Sequence, residues 1–246
     1  TADPPGGGIA LETPFSLATS KAAWDDDDRP LSFKWSYSIV GTEEEVPLTD
    51  YQPVPDIAGV FLPAGLEEHG FSVTIVLRAR DAMGAESAPV HMATVVSWPV
   101  LEDEAAVSGF VNDKAGAADD ALANGDTDTT QQLISGTTAL LNSMSAPANA
   151  TEGGGGRRLL AATALRRSSE SGLDADELAS RKVQRRKLLA TSRSAMDLTV
   201  SSTGSLARAS QMVSRICAAP DEIDEETQDS ALSITGGILG DITSPS

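Results

Sequence analysis

One stretch, residues 31–39, constrains the fold of this chain more than any other part of the sequence. Hydrophobic side chains occupy every second position, and Ser or Lys occupies each position between them. The hydrophobic set is Leu31, Phe33, Trp35, Tyr37 and Ile39. A period of two, rich in aromatic residues, is typical of a β-strand with one buried and one solvated face. The stretch therefore predicts a central strand on which the remaining strands pack.

Other segments of the first hundred residues predict the partners of this strand. Residues 9–18, 71–80 and 90–98 have strand character, and the turn at 81–84 separates the second from the third. The connection at 41–63 holds four prolines and can supply at best a short edge strand. We expect an antiparallel β-sandwich over residues 9–99, and we interpret the Pro- and Gly-rich residues 1–8 as a linker.

After Pro99 the hydrophobic period changes from two to about 3.6, which is the period of an α-helix. An αα-hairpin is predicted at residues 100–147, a second helical pair at 196–240, and a tail at 241–246. The expected apolar positions of the hairpin are Val107, Phe110, Val111, Ala115, Ala118, Leu122, Leu133, Thr137, Leu140, Leu141 and Met144. Those of the second pair are Leu206, Ala209, Met212, Val213, Ile216, Ile223, Ala231, Ile234 and Ile238. The fold class is thus α+β in sequence order.

A basic segment separates the two helical pairs. Residues 151–195 carry 10 basic and 5 acidic side chains and include four consecutive glycines. We expect a long disordered insertion at 148–195, because loops of this length seldom belong to a compact fold. A flexible linker is the favoured interpretation. The alternatives are docking to an acidic surface and proteolytic processing at two dibasic pairs, which are Arg157, Arg158, Arg185 and Arg186.

The charge balance excludes several kinds of partner. The formal net charge is −18, and an acidic surface repels nucleic-acid phosphates and anionic membranes. No segment has the composition of a signal peptide or a membrane span, so we expect this chain to be a segment of a longer protein. Cys217 is the only cysteine, which excludes an internal disulfide and favours a buried thiol over an intermolecular disulfide.

Few residues suggest a catalytic, metal-binding or modification site. His69 and His91 stand alone, without a nucleophile motif, so we predict no catalytic residue and no cofactor. An acidic loop offers oxygen ligands for calcium, but it lacks EF-hand spacing and a solvated turn is favoured; its residues are Asp25, Asp26, Asp27 and Asp28. Asn149 begins an N-glycosylation sequon, which is relevant only in a secreted context.

The β half resembles the REJ (receptor for egg jelly) modules. The resemblance rests on residues 10–17, the Asp-rich entry to the strand at 24–37, the turn at 62–65, and the strand and turn at 73–85. These features occur in the same order as in REJ regions, which are related to PKD and fibronectin-type sandwiches. The resemblance covers residues 9–98, and residues 100–240 look like the helical stretch that often follows in such proteins. The Arg- and Ala-rich insertion is similar in composition to green-algal extracellular proteins.

The resemblance implies a function without catalysis. REJ regions occur in the ectodomains of polycystin-1-like membrane proteins, so we expect an extracellular segment at the plasma or ciliary membrane. Its implied role is adhesion, contact with protein or carbohydrate ligands, or force transmission, with membrane attachment only through the parent chain. The first alternative is a secreted matrix or cell-wall glycoprotein. The second is an unrecognised hydrolase, which requires His69 or His91 in a pocket with an acid and a nucleophile.

Overall fold

A computed structural model describes residues 1–20, 24, 29–145, 175–198 and 203–243. The chain divides into two compact units, Thr1–Pro99 and Val100–Ser246. The first is built from strands and the second from helices. This order of elements confirms the α+β fold class predicted from the change in hydrophobic period.

The β unit contains eight described strands in two sheets. Their bounds are β1 Ala2–Asp3, β2 Gly8–Ile9, β3 Pro14–Leu17, β4 Ser32–Ile39, β5 Glu45–Pro47, β6 Ile57–Phe61, β7 Ser72–Arg80 and β8 Val90–Ser97. One sheet has the order β1-β3-β6, and the other has the order β2-β8-β7-β4-β5. All pairings are antiparallel except that of β2 with β8.

Strand β4 lies inside the larger sheet, as its alternation predicts. It pairs with β7 over its full length, from Ser32 opposite Arg80 to Ile39 opposite Val73. Phe33, Trp35 and Tyr37 are buried in the core. They pack with side chains from both sheets, namely Phe15, Leu17, Val60, Leu62, Val73, Ile75, Leu77 and Val96. The Trp35 indole Nε1 donates to the Pro55 carbonyl at 2.6 Å, so the ring is buried without losing its polar partner.

The interpretation of residues 1–8 as a linker is wrong. Strand β1 pairs with β3, and β2 pairs with β8, so this segment is part of both sheets. Strands β1 and β2 have two residues each, too few to show hydrophobic alternation, so the sequence pattern did not reveal them. Gly7 has a φ of +90°, and a Cβ at this position would lie 2.1 Å from the Val95 carbonyl oxygen. Glycine here permits a close approach of two backbones.

The helical unit contains five described helices. They are α1 Glu104–Ala123, α2 Thr127–Ser145, α3 Ala175–Leu198, α4 Thr203–Ile216 and α5 Glu225–Thr243. Aspartates cap three of them, because Asp103, Asp126 and Asp224 accept hydrogen bonds from the backbone N–H groups of Ala106, Thr129 and Thr227. The hairpin α1–α2 and the pair α4–α5 overlap the predicted ranges 100–147 and 196–240, but α5 continues to Thr243, into the segment predicted as a tail.

The structure contradicts the prediction of a disordered insertion over residues 175–195, because these residues belong to α3. This helix packs against α1, α2, α4 and α5. Its buried side chains are Arg181, Gln184, Arg185, Leu188, Leu189, Thr191, Ser192 and Ala195. They recur at intervals of three and four residues and therefore form one continuous buried face of α3. Most of the side chains on this face are polar or small. The remaining residues of the expected insertion, 148–174, lie outside the described residues.

Candidate functional site

Several residues that the sequence singled out lie outside the part of the chain that the structure describes. These are the calcium candidates Asp25, Asp26, Asp27 and Asp28, the sequon residue Asn149, and the first dibasic pair, Arg157 and Arg158. Their predicted roles remain predictions.

The two histidines lie on different elements of the β unit. His69 ends a short 3-10 turn, Glu67–His69, where its Nε2 is 3.8 Å from a carboxylate oxygen of Glu68. His91 lies on β8, exposed, opposite Val76 of β7. Within the described ranges, no group of three or more His, Cys, Asp or Glu side chains is placed to hold a metal ion.

The second dibasic pair is part of the helical core rather than an open processing site. The side chain of Arg185 is fully buried, while that of Arg186 is 42% exposed. A protease needs an extended, accessible backbone, and residues in the middle of a packed helix do not present one. The structure thus disfavours processing at Arg185 and Arg186 in the folded chain.

Arg185 connects α3 to three other parts of the helical unit. Its Nε donates to a carboxylate oxygen of Glu222 at 2.7 Å, and its Nη1 donates to the side-chain oxygen of Asn142 at 2.9 Å and to the Ile216 carbonyl at 2.7 Å. Arg181 donates to the other carboxylate oxygen of Glu222 at 3.2 Å. One buried carboxylate therefore bridges two arginines, and the network holds α2, α3 and the end of α4 together.

Cys217 follows α4 directly and is half-buried. Burial raises the pKa of its thiol above the ordinary value. A raised pKa lowers the fraction of reactive thiolate at neutral pH.

In the five-stranded sheet, the strands that come first and last along the chain, β2 and β8, are neighbours. Strand β2 lies parallel to β8, with Gly8 opposite Val96 and Ile9 opposite Ser97. Directly after β2, the Ala10 N–H donates to the Ser97 carbonyl at 2.8 Å. The chain thus enters and leaves this sheet through two neighbouring strands that point in the same direction.

Local side chains hold β2 in place. The Ile9 N–H donates to the Thr13 hydroxyl at 2.9 Å, and Thr13 also lies so close to Gly8 that a Cβ there would be 2.6 Å from it. Ala10 and Leu11 are fully buried, and Leu11 has a φ of +63°, which side chains other than glycine seldom adopt. These contacts fix a short strand that its own pairing alone would hold weakly.

On the outer face of the same sheet, a polar ladder crosses three strands. Arg78 of β7 forms two hydrogen bonds with Glu45 of β5, one of them 2.8 Å long, and the Ser36 hydroxyl of β4 donates to the same carboxylate. The hydrogen bond from Arg78 is the main reason that the pKa of Glu45 lies below its ordinary value. The ladder ties edge strand β5 to the centre of the sheet.

A second polar cluster lies at the end of β7. The Arg80 guanidinium lies 3.9 Å from the centre of the Tyr51 ring and also bonds Glu86. The hydrogen bond from Arg80 holds the pKa of Glu86 below its ordinary value, and burial raises that of Tyr51. Sequence reasoning missed both clusters, because Tyr51, Glu45 and Glu86 lie outside the strands with clear alternation.

No helix in the described part of the chain is long and apolar enough to cross a membrane.

Comparisons with known proteins place these features in a family. A family model described as REJ domain matches residues 2–135. This match begins in β1, covers the β unit and α1, and extends into α2, so it reaches beyond residue 98, where the sequence resemblance was expected to end. No curated protein matches the chain.

Proposed function

The chain belongs to the REJ domain family, and from this membership and the pairing of β2 with β8 we propose that it is a load-bearing extracellular segment of a larger, polycystin-1-like membrane protein. REJ domains are typically extracellular and are not known as enzymes. The proposed role is to transmit force, and to contact protein or carbohydrate ligands, at the plasma or ciliary membrane without catalysing a reaction.

The parallel pairing of β2 and β8 is the observation that carries this proposal. When the β unit is pulled at both ends, the force at the N-terminus passes through β1, which pairs with β3, and then draws β2 toward its start while β8 is drawn toward its end. Because the two strands are parallel, these displacements oppose each other along the strand direction. The hydrogen bonds between parallel strands run across that direction, so they are loaded together rather than opened one at a time.

The ladder of Arg78, Glu45 and Ser36 supports the same role. It joins β5, β4 and β7 on the outer face, while β8 pairs with β7 over Ser72–Leu77. Load that enters β8 is therefore spread over a sheet whose strands are also connected through side chains. We expect the sheet to resist shear as one element.

Single-molecule stretching of the whole 246-residue chain between two handles tests the proposal. Unfolding of the β unit releases about 350 Å of contour, from about 99 residues at about 3.5 Å each, and this length identifies the event. We expect it to require a higher force than unfolding of the helical unit. A wild-type β unit that yields at the same force as the helices, or at a lower one, would contradict the proposal.

A matched pair of variants tests which contacts set the unfolding force of the β unit. Thr13→Val removes the acceptor for the Ile9 N–H beside β2, and Ser87→Ala removes the acceptor for the Ala79 N–H at 3.0 Å, away from β2. Each change costs about 1 kcal/mol of stability, typical of a hydrogen bond. Only Thr13→Val is expected to lower the unfolding force. Equal effects of the two changes would mean that the pairing of β2 with β8 does not set the force.

A further inference from the structure

Three of the five basic side chains of the β unit lie together on the outer face of the five-stranded sheet. The unit also carries 15 acidic side chains, so this concentration of positive charge is a local exception. Lys34 of β4 lies directly opposite Arg78 of β7, and Arg80 lies two residues further along β7, on the same face. Like charges directly opposite each other on a sheet cost stability, so this arrangement calls for an explanation other than folding.

Two of the three cations already have carboxylate partners. Arg78 is paired with Glu45, and Nη2 of Arg80 is paired with Glu86. Lys34 forms no ion pair with a carboxylate in the described part of the chain. It lies within electrostatic range of both pairs, because its charge adds to the hydrogen bonds of the two arginines in holding the pKa values of Glu45 and Glu86 below their ordinary values. Three cations and two carboxylates leave the cluster with one excess positive charge.

Lys34 and Arg80 both lie beside the ring of Tyr51. The Lys34 Nζ is 5.9 Å from the ring centre, and the carbon of the Arg80 guanidinium is 3.9 Å from it. Arg80 uses Nη2 for Glu86, so the N–H groups of its Nη1 remain for a ligand, and its side chain is 41% exposed. An ammonium group and a guanidinium edge beside one aromatic ring suit a carboxylate that is attached to an apolar face.

We propose that Lys34, Arg80 and Tyr51 bind a uronic acid, the carboxylate-bearing sugar residue of a glycan. The proposal rests on the contact with carbohydrate ligands proposed above, and it names the surface and the class of sugar. The carboxylate accepts hydrogen bonds from the Lys34 ammonium group and from Nη1 of Arg80. The C–H groups of the sugar ring pack on the Tyr51 ring, which is partly exposed.

The surroundings of the cluster select a singly charged sugar over a polyanion. Asp50 is next to the tyrosine in sequence, Asp81 is next to Arg80, and Glu43 and Glu44 precede β5. One carboxylate neutralises the single excess positive charge, whereas each further negative charge of a polyanion meets an acidic surface. A sugar ring also covers more of the tyrosine than the two methylene groups of a glutamate side chain, so a glycan is favoured over an acidic peptide.

Titration of the isotope-labelled full chain with sodium D-glucuronate, followed by NMR chemical shifts, tests the site. We expect saturable shifts at residues 32–36, 50–52 and 78–81, with a Kd on the order of 1 mM for this single sugar. D-Glucose lacks the carboxylate and is expected to give no such shifts at the same concentrations. The absence of saturable shifts up to about 20 mM glucuronate overturns the proposal.

Two lysine variants form a matched pair, because each lysine lies over an aromatic ring. The Lys114 Nζ is 5.0 Å from the centre of the Phe110 ring, in the helical unit. Lys34→Gln is expected to weaken glucuronate binding about tenfold or more, since a charge-assisted hydrogen bond is lost. This variant should fold, because it removes a like charge opposite Arg78. Lys114→Gln is expected to leave the affinity unchanged, and equal affinities of the two variants overturn the assignment to Lys34.

Three further probes separate a uronic acid from other anions. Acetate presents the carboxylate alone, acetylglutamate amide represents an acidic peptide, and a heparin oligosaccharide represents a polyanion. Each is expected to bind more weakly than glucuronate, and one that binds as tightly overturns the assignment to a singly charged sugar. Stretching of the chain uses none of these ligands, so a failure to bind glucuronate leaves the load-bearing role to be judged by the unfolding force alone.

Discussion

Arg185 and Arg186 are neighbours in sequence with identical side chains, yet they occupy opposite environments. Arg185 is fully buried and bonds Glu222, Asn142 and the Ile216 carbonyl. Arg186 is 42% exposed and pairs with Asp224 and Glu226. Removing one partner of a buried ion pair leaves an uncompensated charge in the interior, whereas solvent replaces an exposed partner.

Substitution of these two arginines should thus have unequal effects. We expect Arg185→Ala to destabilise the helical unit by about 3–5 kcal/mol, because Glu222 stays buried and loses one of its two arginines. Arg186→Ala is the matched control and should have a much smaller effect. Urea unfolding at pH 7, followed by far-UV circular dichroism, measures both. Similar midpoints for the two variants would show that the buried network does not stabilise the unit.

Asp224 gives a prediction about pH. The Thr227 hydroxyl donates to its carboxylate at 2.6 Å, Arg186 donates as well, and the Thr227 N–H donates at 2.9 Å; these bonds lower the pKa of Asp224 from 3.8 to about 2. Because the pKa of Asp224 is lower in the folded chain than in the unfolded chain, its ionised carboxylate stabilises the fold at pH values above about 3.8. This contribution is lost as the pH falls through about 2. Thr227→Val should raise the pKa toward 3.8, as measured by NMR titration. A wild-type pKa near 3.8 would contradict this account.

At the scale of elements, β4 and α3 show what a sequence pattern can reveal. The aromatic alternation of β4 gave its position, its buried face and its central place in the sheet. Helix α3 escaped detection because Arg181, Gln184 and Arg185 occupy the buried stripe. Methods that count hydrophobic residues treat such positions as solvated. The signal that remained was the spacing of three and four residues itself, together with Asp176 and Glu177 in the first turn.

Limited proteolysis tests the assignment of α3 against the expected insertion. Trypsin should not cut after Arg185 or Arg186 in the native chain, because cleavage there requires unfolding of a packed helix. Arg185→Ala, which weakens the packing, should make the bond after Arg186 sensitive. Rapid cleavage after Arg186 in the wild-type chain under native conditions would contradict the helix and support the predicted disorder of residues 175–195.

At the scale of the whole molecule, the region that the family model matches and the first compact unit end at different residues. The REJ match ends at residue 135, inside α2, whereas the division into compact units falls after Pro99. The sequence located this division through the change in period at Pro99. It did not show the pairing of β2 with β8, since contacts between distant short strands leave no local pattern.

The two units should unfold as separate cooperative steps, and the chain contains its own reporters. Its three tryptophans, Trp24, Trp35 and Trp98, all belong to the β unit, so indole fluorescence follows that unit. Circular dichroism at 222 nm follows mainly the helices. We expect the two signals to give different urea midpoints, and Arg185→Ala to shift the helical midpoint alone.

Thr13→Val is the reciprocal control, because it removes a hydrogen bond within the β unit. It should shift the fluorescence midpoint by an amount that corresponds to about 1 kcal/mol and leave the helical signal unchanged. Coincident transitions that move together in both variants would mean that the units fold as one. A load applied to such a chain would then unfold both units in one step of about 246 residues, and the β2–β8 pairing would no longer act on the β unit alone.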